Sequence, residues 1–218
     1  MYLFIAFVPT VLLITLFSFL ILASRRRFHS LCRELGARSQ FLGGAVLRLG
    51  NHSFSIESLS TQNTHSGFGG SYLVSRSQVV ANQRLRAGNI EAASILFALG
   101  LPKNARIEKG EKGDFFLHSA STPISEKNYN LLSDQMLDEW RTSRDLRSAF
   151  AILFSDSKSY LKIGPRIEIS RSGFSRPWVL EYGPLPWSIL AEPRLVLPYI
   201  ESLNSFLEAV EKNGRIKD

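Results

Sequence analysis

Hydrophobic positions follow three rhythms along this chain. From Met1 to Ala23 they form one block: MYLFIAFVPTVLLITLFSFLILA has no charged side chain, and fifteen of its residues are Leu, Ile, Val or Phe. Further on, period-two alternation and period-3.6 stripes take turns, the marks of half-buried strands and amphipathic helices.

Strand patterning predominates up to residue 118. Between Ala45 and Ser60, Phe54 and Ile56 alternate with Ser53, Ser55 and Glu57, and Asn51-His52 offers a turn. Ser60 to Ser71 is rich in Ser, Thr, Asn and Gly and reads as a loop or wide hairpin, with a strand predicted over Ser71 to Val74. Val79 to Arg86 fits either state. Lys109-Gly110-Glu111-Lys112-Gly113 is a charged turn leading into a short strand, Phe115 to His118. A buried short helix is predicted over Asn89 to Leu99, with Asn89 as cap, Glu91 in the first turn, and Gly100 and Pro102 stopping it.

Helical stripes dominate later. Thr122-Pro123 opens a helix whose inner face carries Tyr129, Leu132, Met136 and Trp140, while Glu126, Asp134, Asp138 and Arg141 lie outside it. Ser148 to Phe154 is apolar on both faces and reads as a central strand or as an extension of that helix. A hairpin is expected from Tyr160 to Ile163, turning at Gly164-Pro165, and back from Arg166 to Ser170, so that one meander covers residues 148–170. Ser172 to Pro193, broken by four prolines, reads as irregular and aromatic. The last helix has the cleanest stripe: Val196, Tyr199, Ile200, Leu203, Phe206, Leu207 and Val210, ended by Gly214. Pro198 must sit near its start or kink it. Strands and helices are mixed without strict alternation, which predicts an α+β fold: an antiparallel sheet with helices packed on one side.

The first block changes the setting of all this. As a helix it would be about 35 Å long, enough to cross a hydrocarbon core about 30 Å thick with modest tilt. No Lys or Arg precedes Arg25, and the apolar run is longer than a secretory signal requires, so an uncleaved transmembrane anchor is expected over residues 1–23. Arg25, Arg26 and Arg27 follow it immediately. The excess of arginine on that side predicts a single-pass protein of the cell membrane with its C-terminal domain in the cytoplasm. Residues 24–40 read as a basic juxtamembrane helix and linker, with Phe28, Leu31, Cys32 and Leu35 at helical spacing. Arg25, Arg26, Arg27 and Arg33 are the expected membrane-interface residues, both setting topology and meeting anionic headgroups. Residues 41–218 are expected to form a single α+β domain.

Charge and cysteine usage add less. The chain has 26 basic and 19 acidic residues, net +7, and part of the excess is local: five arginines against Glu34 alone between Ser24 and Arg38. The lone Cys32 excludes an internal disulfide. The order Gly113-Asp114-Phe115-Phe116, a Thr-capped helix, a meander and a final amphipathic helix resembles uncharacterised bacterial single-pass membrane proteins with a small C-terminal α+β domain. That resemblance covers the last half of the chain and implies no activity.

Candidate chemistry is sparse. His29, His52, His65 and His118 show no metal-ligand spacing. Asp114 and His118 would share a strand face at spacing four, a pairing more often met as a surface coincidence than as a catalytic dyad. Ser66-Gly67-Phe68-Gly69-Gly70-Ser71 lacks the order of a nucleophile elbow, and no Gly-Lys-Ser/Thr follows it to make a phosphate loop. No catalytic residue, cofactor or metal is assigned. Arg166, Arg171 and Arg176 lie near Phe174 and Trp178, but no nucleic-acid motif accompanies them, so nucleic acid is not the expected partner. Arg176, Trp178 and Trp187 form a candidate rim for a protein partner; the alternative is that they cap the core. The expected function is a membrane-tethered domain that binds a membrane or cytoplasmic protein or assists an assembly without catalysis. The alternative is a membrane-bound enzyme whose site has no recognisable motif.

Overall fold

The computed structural model describes residues 44–59, 70–76, 83–97, 100–121, 131–166, 168–170, 173–175, 177–186, 188–189 and 192–214, with Ser39, Gln40 and scattered positions between 11 and 33. The strands are β1 (Ser39–Gln40), β2 (Gly44–Leu49), β3 (His52–Leu59), β4 (Gly70–Ser75), β5 (Gln83–Asn89), β6 (Arg106–Gly110), β7 (Gly113–Ser121), β8 (Tyr160–Pro165), β9 (Glu168–Ser170), β10 (Gly173–Ser175) and β11 (Trp178–Gly183). The helices are α1 (Ala93–Leu96), α2 (Leu131–Thr142), α3 (Arg144–Leu153) and α4 (Leu197–Gly214). Among the described residues nine strands join in one antiparallel sheet, in the order β1-β2-β3-β4-β11-β8-β5-β7-β6. The architecture is α+β.

Alternation sets the two faces of the sheet, because successive side chains in a strand point to opposite sides. Phe54, Leu73, Leu85, Ala87, Leu117, Leu161, Ile163, Leu180 and Tyr182 point to one side and are buried. The long helices α2, α3 and α4 cover that side and pack on one another, with α2 against β5 and β7, α3 against β6, and α4 against β2. The aromatic centre of this core is Phe115, whose ring lies 5.2 Å from Phe150 and 5.1 Å from Trp140. Helix α4 brings Val196, Ile200, Leu203, Phe206, Leu207 and Val210 into the same core, as its stripe predicts. Its Pro198 is the second helical residue, where no intrahelical N–H is lost.

Several local expectations change. Ser148 to Phe154 is neither a strand nor a continuation of α2. Ser143 accepts from the Leu146 N–H at 3.3 Å and starts a separate helix, α3, which buries Leu146, Ala149, Phe150 and Leu153. The meander over 148–170 therefore does not exist. Nor does Gly164-Pro165 turn a hairpin: β8 runs through both residues and pairs with β11 and β5, while β9 pairs with β10 in a separate small ribbon. The irregular aromatic segment contains β11, which sits between β4 and β8 in the sheet. The short helix is shorter than expected: Asn89 caps a 3-10 turn, Ile90–Ala92, and α1 follows for four residues. It is half-buried, and it lies on the opposite face from the long helices, so helices on one side describes only α2, α3 and α4.

The described residues between 11 and 33 are helical, and among them Val11, Leu12, Leu13, Leu16, Phe19 and Leu22 are exposed. Among the described residues no helix is long and apolar enough to cross a membrane, and much of 1–23 lies outside them. The Thr122-Pro123 helix start and the Ser60 to Gly69 part of the loop also lie outside them.

Candidate functional site

The sheet face turned away from the long helices carries a connected set of charged side chains. Strand register places its side chains in rows. One row crosses five strands: Val74 on β4, Glu181 on β11, Lys162 on β8, Arg86 on β5 and His118 on β7. Neighbouring strands are about 4.8 Å apart, so adjacent members of the row sit within side-chain reach. The next row holds Glu57 opposite Tyr72, and Tyr160 opposite Gly88 opposite Phe116.

Five charged groups on this face form a continuous ladder. Glu57 pairs with Arg76 through one carboxylate oxygen and with Arg166 at 3.0 Å through the other. Arg166 reaches Glu181 at 3.8 Å, and Glu181 reaches Lys162 at 3.6 Å. Glu57 and Glu181 are largely covered, with side chains 16% and 14% exposed, so solvent screens these pairs less than it does exposed ones. Burial pushes the Glu57 carboxyl up, but hydrogen bonds from Arg76, Arg166 and Ser55 and the Arg76 charge outweigh it and hold the group below the ordinary carboxylate range. It is an anion at neutral pH and has no proton to give.

Beside the ladder lies a small apolar layer under α1. Tyr72, Val74, Tyr160 and Val179 pack with Ala92, and Ile95 and Leu96 cover them. The Tyr72 and Tyr160 hydroxyls meet at 3.3 Å. Burial raises both phenols, most strongly Tyr160, so both stay protonated. Gly183 makes the close approach possible: a Cβ there would stand 2.7 Å from the Tyr72 ring, and its φ of +153° disfavours a side chain in any case.

Past α1 the row ends in Arg86 and His118. The Arg86 guanidinium lies 5.0 Å from the centre of the Phe97 ring and donates to the Leu96 carbonyl at 3.5 Å. The His118 ring stands edge-on to Phe97 at 5.7 Å. Burial first, and then the Arg86 charge, lowers the His118 imidazole below its ordinary value. Asp114 shares its strand face, as its spacing predicts, but lies exposed opposite Lys109, two positions beyond Phe116. The fold gives it no bond to His118 among the described residues.

Arg26 and Arg33 are helical and exposed; Arg25 and Arg27 lie outside the described residues. Of the candidate rim, Trp178 is half-buried against the helix-side core, on the face opposite the ladder, and Arg176 and Trp187 lie outside the described residues. The ladder itself was not legible as a site. Ser55 and Glu57 alternate with Phe54 and Ile56 and so mark an outward face, but Arg166 is 109 residues away from Glu57 and only the sheet order joins them.

Among the described residues no group of three or more His, Cys, Asp or Glu is placed to hold a metal ion. On the helix side, Phe115, Trp140, Phe150 and the β6–β7 turn line a crevice of about 20 Å³, room for one water. No protein-family model matches the chain, and no curated protein or solved structure is significantly similar to it.

Proposed function

We propose that this chain is a membrane-tethered binding domain. Residues 1–23 span the bilayer, and Arg25, Arg26, Arg27 and Arg33 meet the headgroups on the cytoplasmic side. The α+β domain presents the charged face of its sheet to a partner, in a binding or assembly role rather than a catalytic one. One observation carries the reading: an uncharged run with fifteen Leu, Ile, Val or Phe residues is closed at once by three arginines. At about 0.3 to 0.6 kcal/mol for each such residue, insertion is favoured by several kcal/mol. The exposed side chains of Val11, Leu12, Leu16 and Phe19 agree with it, since none is taken up by the core. The ladder favours recognition over acid–base work, because Arg76 and Arg166 hold the Glu57 carboxylate at its centre charged.

Carbonate extraction and reporter fusion test the tether together. The full chain is expected in the pellet after alkaline carbonate, and a reporter fused after Asp218 is expected to work only if it is one that functions in the cytoplasm. Recovery in the carbonate supernatant would remove the span. Activity of a periplasmic or extracellular reporter at that site would reverse the orientation.

A further inference from the structure

We infer that Arg84, Arg86, Lys162 and His118 form a binding site for a phosphate-type anion on the sheet face opposite the long helices. The inference deepens the binding role proposed above and rests on it, but does not depend on the bilayer span.

On β3, β4, β5, β8, β11 and their ends, this face carries the cations Arg76, Arg84, Arg86, Lys162 and Arg166 and the carboxylates Glu57 and Glu181; Asp114 faces Lys109 at the β6–β7 edge. Glu57 and Glu181 are taken by Arg76, Arg166 and Lys162. Among the described residues no carboxylate pairs with Arg84 or Arg86. Arg86 is nonetheless half-buried, and its surroundings are unfavourable to a lone cation. Burial and the Arg84 charge both lower its proton affinity. Its one carbonyl contact, at 3.5 Å, is at the limit of a hydrogen bond.

A guanidinium has five N–H donors in a fixed fork, and these contacts leave most of the fork unused. The Phe97 ring covers the group on one side, its centre 5.0 Å from the guanidinium carbon, a contact that does not neutralise the charge. Lys162 and His118 flank it in the same row, on the strands to either side. Arg84 stands two residues along the same strand and is exposed, so the row opens to solvent there. An oriented guanidinium flanked by an ammonium, an imidazole and a second guanidinium suits an oxyanion with several acceptor oxygens, which can accept from the fork and from its neighbours at once. A carboxylate offers two oxygens and leaves part of this set unused; a phosphate monoester offers three. That group can come from a soluble phosphate ester or from a phospholipid headgroup, and the test separates the two.

The full isotope-labelled chain, in neutral-detergent micelles, is titrated with inorganic phosphate and then with glycerol phosphate. Saturable binding is expected, with shifts of the Arg84, Arg86, Lys162 and His118 signals and none for Leu203 or Phe206. Arg86→Gln should weaken binding about tenfold or more, the loss expected for one charge-assisted hydrogen bond. Arg84→Gln, at an exposed position where folding is spared, should weaken it in the same direction. Arg106→Gln, in an exposed pair with Asp134 on the other face, should leave it unchanged. In nanodiscs, phosphatidic acid at a few mole per cent should displace glycerol phosphate if the lipid is the source; lack of displacement assigns a soluble ester. A flat titration, or equal losses in Arg84→Gln and Arg106→Gln, overturns the site while the carbonate result stands. If carbonate extracts the chain, the titration is run without detergent and the same shifts are expected.

Discussion

His52 shows how one residue can record the protein's response to acid. It opens β3, points to the helix side and is 1% exposed. Neither ring nitrogen has a hydrogen-bond partner among the described residues, and Glu211 lies 3.8 Å from Nε2. Burial lowers its proton affinity, and the charges of Glu211 and Glu208 only partly restore it. The imidazole is therefore neutral in the native protein at pH 7, whereas the unfolded side chain takes its proton near the ordinary value of 6.5. As the pH falls below that value, the unfolded chain binds more protons than the folded one, and stability is lost until the lowered native value is passed. His118 is lowered as well and adds a change of the same sign. Urea midpoints at about pH 7.5 and about pH 5.5 check this. His52→Phe should shrink the drop between them. At the higher pH it should leave stability unchanged or raise it by up to about 1 kcal/mol, because a buried polar ring without partners is replaced by an apolar one of similar size.

At the scale of elements, α3 and α4 show what a periodic stripe does and does not reveal. In α4 the stripe from Val196 to Val210 and the observed burial coincide. Leu203 has no exposed surface and sits mid-stripe in the helix-side core, so Leu203→Ala should cost about 2 to 5 kcal/mol, read from denaturant unfolding of the chain. An unchanged midpoint would mean that this face serves docking rather than the core. In α3 the stripe is Leu146, Ala149, Phe150 and Leu153, at helical spacing from a Ser143 cap. A window opening at Ser148 omits the cap and the first member, and what remains, SAFAILF, is apolar all round. The helix is encoded from Ser143 onward, ahead of the most apolar stretch.

The whole molecule depends on pairings between distant segments. β11 separates β4 from β8, so the last strand among the described residues lies near the middle of the sheet. Its Leu180 and Tyr182 join the core, and the Tyr182 hydroxyl donates to the Leu153 carbonyl at 2.8 Å, tying the sheet to the end of α3. A chain ending at residue 175 would lack β11 and α4, leaving facing edges of β4 and β8 unpaired and the helix-side core open. It is expected to lack a cooperative unfolding transition, whereas a chain lacking only residues 1–23 should keep one. Circular dichroism during thermal unfolding compares the two.

Local order in this chain writes itself locally. The alternation in β3, the Asn89 cap, the charged β6–β7 turn and the stripe of α4 depend on residues within a turn or two of one another, and each is readable from sequence. The same holds for the uncharged run and the arginines after it, which set an expectation about the bilayer without reference to any fold. What the sequence could not hold is adjacency. β11 reads as irregular because Pro177 and Pro184 flank six residues whose burial, one half-buried position followed by two buried ones and then the same again, has no period of two. Only pairing with β4 and β8 makes it a strand. The charged face follows from that same pairing: Glu57, Arg166 and Glu181 come from three separate segments, Arg76, Arg166 and Lys162 pair with the two carboxylates, and among the described residues none pairs with Arg86. A sequence specifies which side of its strand each residue takes, but electrostatic partners are set by distances in space, and those exist only once the sheet has closed.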